Sequence, residues 1–320
     1  MSELRWHPLL GEWVIIADER RARPFLPEGA CPLCPGVLEI PREFEVVSFE
    51  NRYPALVRAP SRPRVTGTGP FRVQRNRGVC EVLVYTPEHD LPPSGLPLER
   101  MEMLIRVWAD RYEDLGRLPF VRYVFIFENR GREIGVSLTH PHGQIYAFPF
   151  VPPIPRRELE RSRAYWRERG RCLFCDILAE ERRAGSRVVF ENARFVAFVP
   201  FFARFPYEVH LLPKEHVGDI LGLPEVAYRP LAEAVLVVLR KYDGLFGEEM
   251  PYMMVLHQSP TDGKDHPHYH FHIEFYSVKQ GKGRIKYRAG VETGAGTFIN
   301  ALSPERMAEE LRRVEVAVDG

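Results

Sequence analysis

An internal repeat constrains this 320-residue chain more than any other feature, because two copies of one unit restrict how its elements can be arranged. Each half carries a C-x-x-C pair, then Phe-Glu-Asn, then a Pro-Glu-His or Pro-Lys-Glu-His element, and finally a histidine-rich motif. The two motifs are His140-Pro-His-Gly-Gln144 and His268-Tyr-His-Phe-His272. We predict two copies of one unit, residues 1–160 and 161–320, joined through a Pro-rich stretch and a charged segment at 149–171.

Secondary-structure signals indicate the same layout in both halves. Short β-branched or aromatic runs bounded by Pro, Gly or Asn predict strands at residues 13–17, 82–85, 123–127 and 145–147. Helical spacing of apolar residues predicts one long helix in each half, at 98–115 and 228–245. We predict an α+β fold of two tandem units with pseudo-twofold duplication. Each unit is an antiparallel sheet with a helix on one face, and pairing the two sheets would bury their edges.

Composition narrows the class of partner. The formal net charge of +1 argues against a nucleic acid or a membrane surface held by bulk charge. Apolar runs fall short of 18 residues, and the N-terminus lacks the charged-then-apolar pattern of a signal peptide. We therefore expect a cytoplasmic protein without a nucleic-acid or membrane partner.

Four of the five cysteines form the two C-x-x-C pairs. In a cytosolic chain such pairs indicate metal ligands or a redox dithiol, and the prolines around the first pair favour a zinc-binding turn. Tetrahedral zinc needs two further ligands, which the recurring histidines can supply. We predict structural zinc sites at Cys31, Cys34, His89 and His140 and at Cys172, Cys175, His216 and His268. The alternative is unmetallated cysteines beside ordinary histidines.

His142 is the candidate nucleophile. Residues two apart in a strand share a face, so His140, His142 and Gln144 can address one site. A backbone carbonyl that holds His142 as the neutral imidazole would leave its other nitrogen to attack an α-phosphorus and form a phosphoramidate. The alternative is an ordinary histidine in a metal-bound loop.

Gln144 distinguishes transfer from hydrolysis. Its amide can hydrogen-bond a phosphoryl oxygen but cannot supply a titrating proton. Such a site suits a leaving group that needs no protonation, for instance a sugar phosphate whose second pKa is roughly 6. Gln144 therefore favours exchange of one phosphate for another.

The motif set resembles the galactose-1-phosphate uridylyltransferase family, a duplicated branch of the histidine-triad superfamily. The resemblance covers nearly the whole chain and rests on HPHGQ after Phe-Glu-Asn-Arg-Gly, with C-x-x-C upstream and Thr-Pro-Glu-His between. It implies that His142 carries the uridylyl group, that Gln144 and Ser137 contact phosphate, and that Asn129 orients the nucleophile loop. It also implies UDP-sugar and sugar 1-phosphate substrates and a homodimer with the site near the subunit interface.

The same resemblance implies substrate-binding residues outside the motif. Arg20 and Arg23 match an early basic phosphate-binding motif, and Asn51 falls in a uridine-contacting segment. Lys286 and Glu292 match a late sugar-phosphate segment. Forked guanidinium groups recognise phosphate oxygens in fixed geometry, which suits the two arginines.

A second, non-catalytic metal site is also implied by the resemblance. Its ligands would be a carboxylate just after the HPHGQ segment and three histidines, here Glu158, His257, His270 and His272. Iron or zinc would suit these ligands.

Two departures from the well-known form of the family bear on the substrate. Leu138-Thr139 stand where that form has Asn-Pro, and Phe298 stands where it has Gln. The second C-x-x-C pair resembles a relative that acts as an ADP-sugar phosphorylase.

Three functions follow as hypotheses. The first is a nucleotidyltransferase that converts UDP-glucose and galactose 1-phosphate by a ping-pong mechanism through uridylyl-His142, with ADP-sugar phosphorolysis as its variant. The second is a histidine-triad hydrolase that uses His270. The third is a non-enzymatic zinc module that binds nucleotides. We predict the first.

Overall fold

A computed structural model describes residues 2–18, 20, 31–37 and 40–317. The predicted phosphate ligand Arg23 lies outside the described residues. Within those ranges, no helix has both the length and the apolar character needed to cross a membrane.

The described part of the chain contains strands and five α-helices. The strands are β1 (Ser2–His7), β2 (Glu12–Ala17), β3 (Val47–Glu50), β4 (Val73–Arg75), β5 (Val79–Val84), β6 (Tyr123–Arg130), β7 (His142–Phe148), β8 (Val188–Glu191), β9 (Phe195–Phe198), β10 (Val209–Pro213), β11 (Tyr252–His257), β12 (His272–Ser277), β13 (Lys279–Gly281) and β14 (Arg284–Ile285). The helices are α1 (Leu98–Gly116), α2 (Pro153–Arg169), α3 (Leu173–Ala184), α4 (Tyr228–Leu245) and α5 (Pro304–Arg313).

Nine strands form one antiparallel sheet in the order β3-β5-β7-β6-β11-β12-β10-β9-β8. The two halves meet where β6 pairs with β11, and Phe127 lies directly opposite Val255 at this joint. A smaller sheet, β2-β1-β4, belongs to the first half. The predicted α+β fold of two paired antiparallel sheets is confirmed.

Helices α1 and α4 cover one face of the large sheet. Ile126, Ile145, Leu256 and Ile273 point towards them and join one buried core with Trp108 of α1. Alternate residues of the same strands point to the opposite face, which we call the distal face. Its residues on the four central strands are Phe125, Phe127, Asn129, His142, Gln144, Tyr146, Phe148, Met253, Val255, His257, His272, Glu274 and Tyr276.

The charged segment between the halves forms a helix. Pro153, Pro155 and the preceding Pro152 suit the first turn of α2, where fixed φ angles cost nothing. Gly170 ends the helix in the left-handed conformation, with φ of 67°. This helix brings Glu158 to the distal face, where the carboxylate contacts His257.

Strand pairing corrects the alignment of the two motifs. Gln144 lies opposite Phe127, and Glu274 lies opposite Val255, the residue that pairs with Phe127. The connection between the paired strands is therefore two residues longer in the second half. His140, His142 and Gln144 correspond to His270, His272 and Glu274. A shift of two residues keeps every side chain on its face, so periodicity could not reveal it.

Candidate active site and metal clusters

His142 opens strand β7 on the distal face. Its Nδ1 lies 2.8 Å from the carbonyl oxygen of His140, to which it donates a hydrogen bond. This bond assigns the proton of the neutral imidazole to Nδ1 and the lone pair to Nε2. The carbonyl also fixes the ring, so His142 has the tautomer that a phosphorus nucleophile needs.

A cavity of about 460 Å³ adjoins His142 and is lined by Asn129 and Thr139 as well. Ser137 lies between two lining residues, Val136 and Leu138. Gln144 follows His142 on the same face of β7. Of the four residues predicted to carry catalysis, His142 and Asn129 line the cavity, whereas Ser137 and Gln144 lie next to lining residues in the chain or on the strand and are not among them.

The charge of this cavity is unexpected for an anionic substrate. Its lining includes the carboxylates of Asp90, Glu128, Glu133 and Glu249 and the guanidinium groups of Arg130 and Arg132. Arg130 is itself paired, at 2.8 Å to Asp243 and 3.0 Å to Glu249. Among the described residues, the lining thus contains more acidic than basic side chains.

Glu128 lies beneath the nucleophile strand, opposite Gly143. The hydroxyl of Tyr252 donates to its carboxylate at 2.5 Å. A Cβ at position 143 would collide with the hydroxyl of Tyr85, so the glycine after His142 is required by this close approach. Burial raises the pKa of Glu128 to about 7, although hydrogen bonds from Tyr252 and Tyr85 and the charge of Arg130 favour the carboxylate.

Glu128→Gln should change the pH dependence of stability. The folded pKa of Glu128, about 7, lies above the ordinary value of 4.5. The stability contributed by the protonated side chain is therefore fully present below pH 4.5 and is lost as the pH rises to about 7. Relative to the Gln variant, the wild-type free energy of unfolding should fall by about 3 kcal/mol across this window. Urea unfolding at a series of pH values measures the difference. Glu133→Gln, at an exposed position in the same cavity, is the control, and parallel curves for wild type and Glu128→Gln would contradict the expectation.

The first metal cluster contains Cys31, Cys34, His89 and His140, whose ligand atoms all lie within 4.8 Å of one another. The Sγ of Cys34 is 3.5 Å from Nδ1 of His89 and 3.7 Å from Nδ1 of His140. Tetrahedral zinc would place sulfur and nitrogen roughly 3.6 Å apart, so the distances fit. His140 lies 2.8 Å from the carbonyl of Thr86 through Nε2, which orients the ring as metal-bound histidines require.

The second cluster contains Cys172, Cys175, His216 and His270. The Sγ of Cys175 lies 3.3 Å from Nδ1 of His216 and 3.4 Å from Nδ1 of His270. The prediction of His268 as the fourth ligand was wrong, because the two-residue shift places His270 where His140 stands in the first half. The ring of His268 instead lies beside that of His266, with centroids 5.8 Å apart.

The third cluster contains Glu158, His257, His272 and Glu274. Nδ1 of His257 is 2.7 Å from Glu158, and Nε2 of His272 is 3.5 Å from Glu274. The prediction of His270 in this set was wrong, because its Nδ1 faces Cys175. Sequence analysis missed Glu274, although it follows His272 as Gln144 follows His142, and the correct register would have revealed it.

Charges in the third cluster are tightly coupled. Burial disfavours protonation of His257, but the carboxylates of Glu158 and Glu274 outweigh it and raise the pKa to about 9. Burial also opposes ionisation of Glu274, yet His210 and His257 hold its pKa well below the ordinary value. Two carboxylates and two imidazoles are a ligand set that suits iron or zinc.

The second half does not present a nucleophile as the first half does. His272 is 1% exposed and lies behind Phe174, with ring centroids 4.9 Å apart. His270 is fully buried and directed at Cys175. The hydrolase hypothesis, which required His270 to meet a substrate, therefore finds no support in this geometry.

The other predicted substrate residues fall into two groups. Arg20 reaches the distal face and donates to the hydroxyl of Tyr146 at 3.0 Å, while Asn51 accepts from the backbone nitrogen of Tyr53 at 2.8 Å. Lys286 and Glu292 form an ion pair of 2.7 Å and are not among the described residues that line the His142 cavity.

Known proteins resemble this chain along its whole length. Sequence profiles of the N-terminal and C-terminal domains of galactose-1-phosphate uridyl transferase match residues 1–152 and 158–318. The galactose-1-phosphate uridylyltransferase of Thermotoga maritima is 46% identical over 320 residues, covering 99% of this chain and 100% of that protein.

Solved structures agree with these sequence matches. A uridylyltransferase structure has a TM-score of 0.89 at 38% identity, covering 97% of each chain. An ADP-glucose phosphorylase from Arabidopsis thaliana, with bound ADP-glucose, has a TM-score of 0.77 at 24% identity, covering 99% of this chain and 100% of that one. The second likeness concerns the fold alone. The profile matches and the relative from Thermotoga maritima show that the chain belongs to the galactose-1-phosphate uridylyltransferase family.

Proposed function

We propose that the protein transfers a uridylyl group between UDP-glucose and galactose 1-phosphate, yielding glucose 1-phosphate and UDP-galactose in galactose metabolism. The observation that carries the proposal is the hydrogen bond from Nδ1 of His142 to the carbonyl of His140, which assigns the lone pair to Nε2 beside the cavity. Family membership supports the substrates, because the relative from Thermotoga maritima carries the name of this activity.

The reaction proceeds in two displacements. Nε2 of His142 attacks the α-phosphorus of UDP-glucose, a P–N bond forms, and the bond to the β-phosphate oxygen breaks to release glucose 1-phosphate. A phosphate oxygen of galactose 1-phosphate then attacks the same phosphorus, and the P–N bond breaks. The carbonyl of His140 stabilises the charge that develops on the imidazole, because Nδ1 keeps its proton throughout. Gln144 and Ser137 hydrogen-bond the phosphoryl oxygens, and Asn129 orients the nucleophile loop.

Substrate binding in this proposal uses both copies of a cytoplasmic homodimer. Arg20 and Arg23 bind phosphate, and Asn51 lies in the uridine-contacting segment. Lys286 and Glu292 serve the sugar phosphate at the cavity of the second copy. Among the described residues that line the cavity, four are acidic and two are basic, and cations from the partner copy would offset this excess for an anionic substrate.

The donor atoms of each cluster indicate which metal it would bind. The two Cys₂His₂ clusters suit structural zinc, since thiolate and imidazole are its usual ligands and the measured separations fit a tetrahedron. The cluster of Glu158, His257, His272 and Glu274 suits iron or zinc. Zinc at the first cluster would hold His140, whose carbonyl in turn holds His142.

Adenylyl transfer from an ADP-sugar is the second candidate. The Cys₂His₂ cluster in the second half favours it, because that pair of cysteines resembles the phosphorylase relative. The covalent step at His142 would be unchanged, with orthophosphate as the acceptor.

Intact-protein mass after brief incubation with UDP-glucose or ADP-glucose, in separate tubes, tests both candidates. We expect a uridylyl-sized gain from UDP-glucose only, and its discharge when galactose 1-phosphate is added. An adenylyl-sized gain from ADP-glucose alone would move the proposal to the phosphorylase. A protein that gains no mass from either nucleotide would contradict the covalent mechanism.

A further inference from the structure

Two arginines share one pair of aromatic rings at the far side of the distal face. The guanidinium carbon of Arg204 lies 5.3 Å from the ring centre of Phe298 and 5.8 Å from that of Phe205. For Arg288 the same two distances are 5.4 Å and 5.0 Å. Both cations are therefore held against the same surface, although like charges repel each other.

No carboxylate among residues 2–18, 20, 31–37 and 40–317 lies within 4.0 Å of either guanidinium group. Burial and the charge of Arg204 lower the pKa of Arg288, while the charge of Glu292 acts in the opposite direction. Cation–π contacts offset part of the repulsion, but a dianion between the two groups would remove it. A phosphate monoester carries about two negative charges at neutral pH and accepts forked hydrogen bonds from arginine.

The sheet register places this pair away from its own His142. Asn129, Met253 and Tyr276 lie directly opposite one another on successive strands, and His142 continues that row on β7. Arg204 lies over Tyr276, with the guanidinium carbon 5.8 Å from the ring centre. Three strand spacings separate His142 from Tyr276, roughly 14 Å. The pair therefore lies over the second half of the sheet, three strands from its own His142.

Charge complementarity identifies where the pair acts. The described lining of the His142 cavity includes four acidic and two basic residues. Arg288 belongs to the segment of Lys286, which does not line that cavity in its own chain. The same segment exposes the apolar side chains of Tyr287 and Ile299, as expected for a surface that another chain covers.

We propose that Arg204 and Arg288 bind the phosphate group of a sugar 1-phosphate at the cavity of a second copy of this chain. The inference rests on the proposed function and adds two residues that recognise the acceptor. The ring of Phe298 supports both guanidinium groups.

The double variant Arg204→Gln/Arg288→Gln tests the ligand. It should still form the covalent adduct at saturating UDP-glucose, although its KM for UDP-glucose also rises, because the departing glucose 1-phosphate occupies the same place as galactose 1-phosphate. Its KM for galactose 1-phosphate should rise about ten- to hundredfold while kcat changes less. In this variant, inorganic phosphate should no longer compete with galactose 1-phosphate.

The variant Arg204→Lys/Arg288→Lys should lower the raised KM part of the way back, because lysine restores the positive charge without the forked guanidinium group. Arg284→Gln, on the neighbouring strand β14, is the matched control. An unchanged KM for galactose 1-phosphate in the double Gln variant would overturn the inference. A wild-type protein that forms no adduct would overturn the proposed function instead.

Mixed oligomers test the second copy. Co-expression of a His142→Ala chain with the double Gln chain, each with its own affinity tag, gives a mixed species with one complete site if the arginines act across the interface. That species should show the wild-type KM for galactose 1-phosphate at up to half the wild-type kcat. A KM that remains raised, or a protein that stays monomeric under assay conditions, would overturn the assignment to a second copy.

Discussion

His142→Ala is expected to abolish the covalent adduct and to lower turnover by about 10⁴- to 10⁶-fold, the range seen when a covalent nucleophile is removed. The alanine has no lone pair to attack the α-phosphorus, and no other histidine has both a carbonyl-bound Nδ1 and a place in the cavity lining among the described residues. Binding of UDP-glucose should change little, because the uridine and phosphate contacts remain. Intact-protein mass measures adduct formation, and steady-state rates measure turnover.

The pseudo-symmetric partner supplies the matched control. His272 has the same hydrogen bond, from Nδ1 to the carbonyl of His270 at 2.9 Å, but it faces Glu274 in a buried cluster. His272→Ala should therefore lower stability or metal content while the remaining folded protein still forms the uridylyl adduct. An adduct that persists in His142→Ala, or one that disappears only in His272→Ala, would contradict the assignment of the nucleophile.

Cys34→Ser is expected to remove one bound metal ion per chain and to lower the free energy of unfolding by roughly 5 kcal/mol, a fraction of the binding free energy typical of structural zinc. Cys34 is the thiol that contacts both His89 and His140. Loss of the metal also releases His140, whose carbonyl positions His142, so adduct formation should slow by about ten- to hundredfold. Metal analysis, thermal unfolding and the mass assay together measure these effects.

Two cysteine variants control for this result. Cys175→Ser should also remove one metal ion, but it should leave adduct formation near the wild-type rate, because His270 holds His272 and not the nucleophile. Cys80→Ser, at a buried thiol outside both clusters, should leave the metal content unchanged. Equal loss of adduct formation in Cys34→Ser and Cys175→Ser would contradict the link from the first cluster to His142.

Local motifs and their repetition in both halves were sufficient for several features of the site. The first Cys₂His₂ set was predicted correctly as a spatial group, and so was the carbonyl that holds His142. Long apolar helices with clear periodicity also lie close to where they were predicted, at α1 and α4. Glu274 was missed, because it meets His257 only through the pairing of β12 with β11.

The sequence by itself determined the duplication and the antiparallel α+β class and it contains the HPHGQ motif, because strand periodicity, C-x-x-C spacing and HPHGQ are local signals. Only the tertiary structure decided that His270 and not His268 completes the second Cys₂His₂ cluster, and that Arg204 meets Arg288 over Phe298. The physical reason is that side chains alternate with a period of two along a strand. An insertion of two residues leaves every face unchanged, so strand pairing alone determines which residues meet.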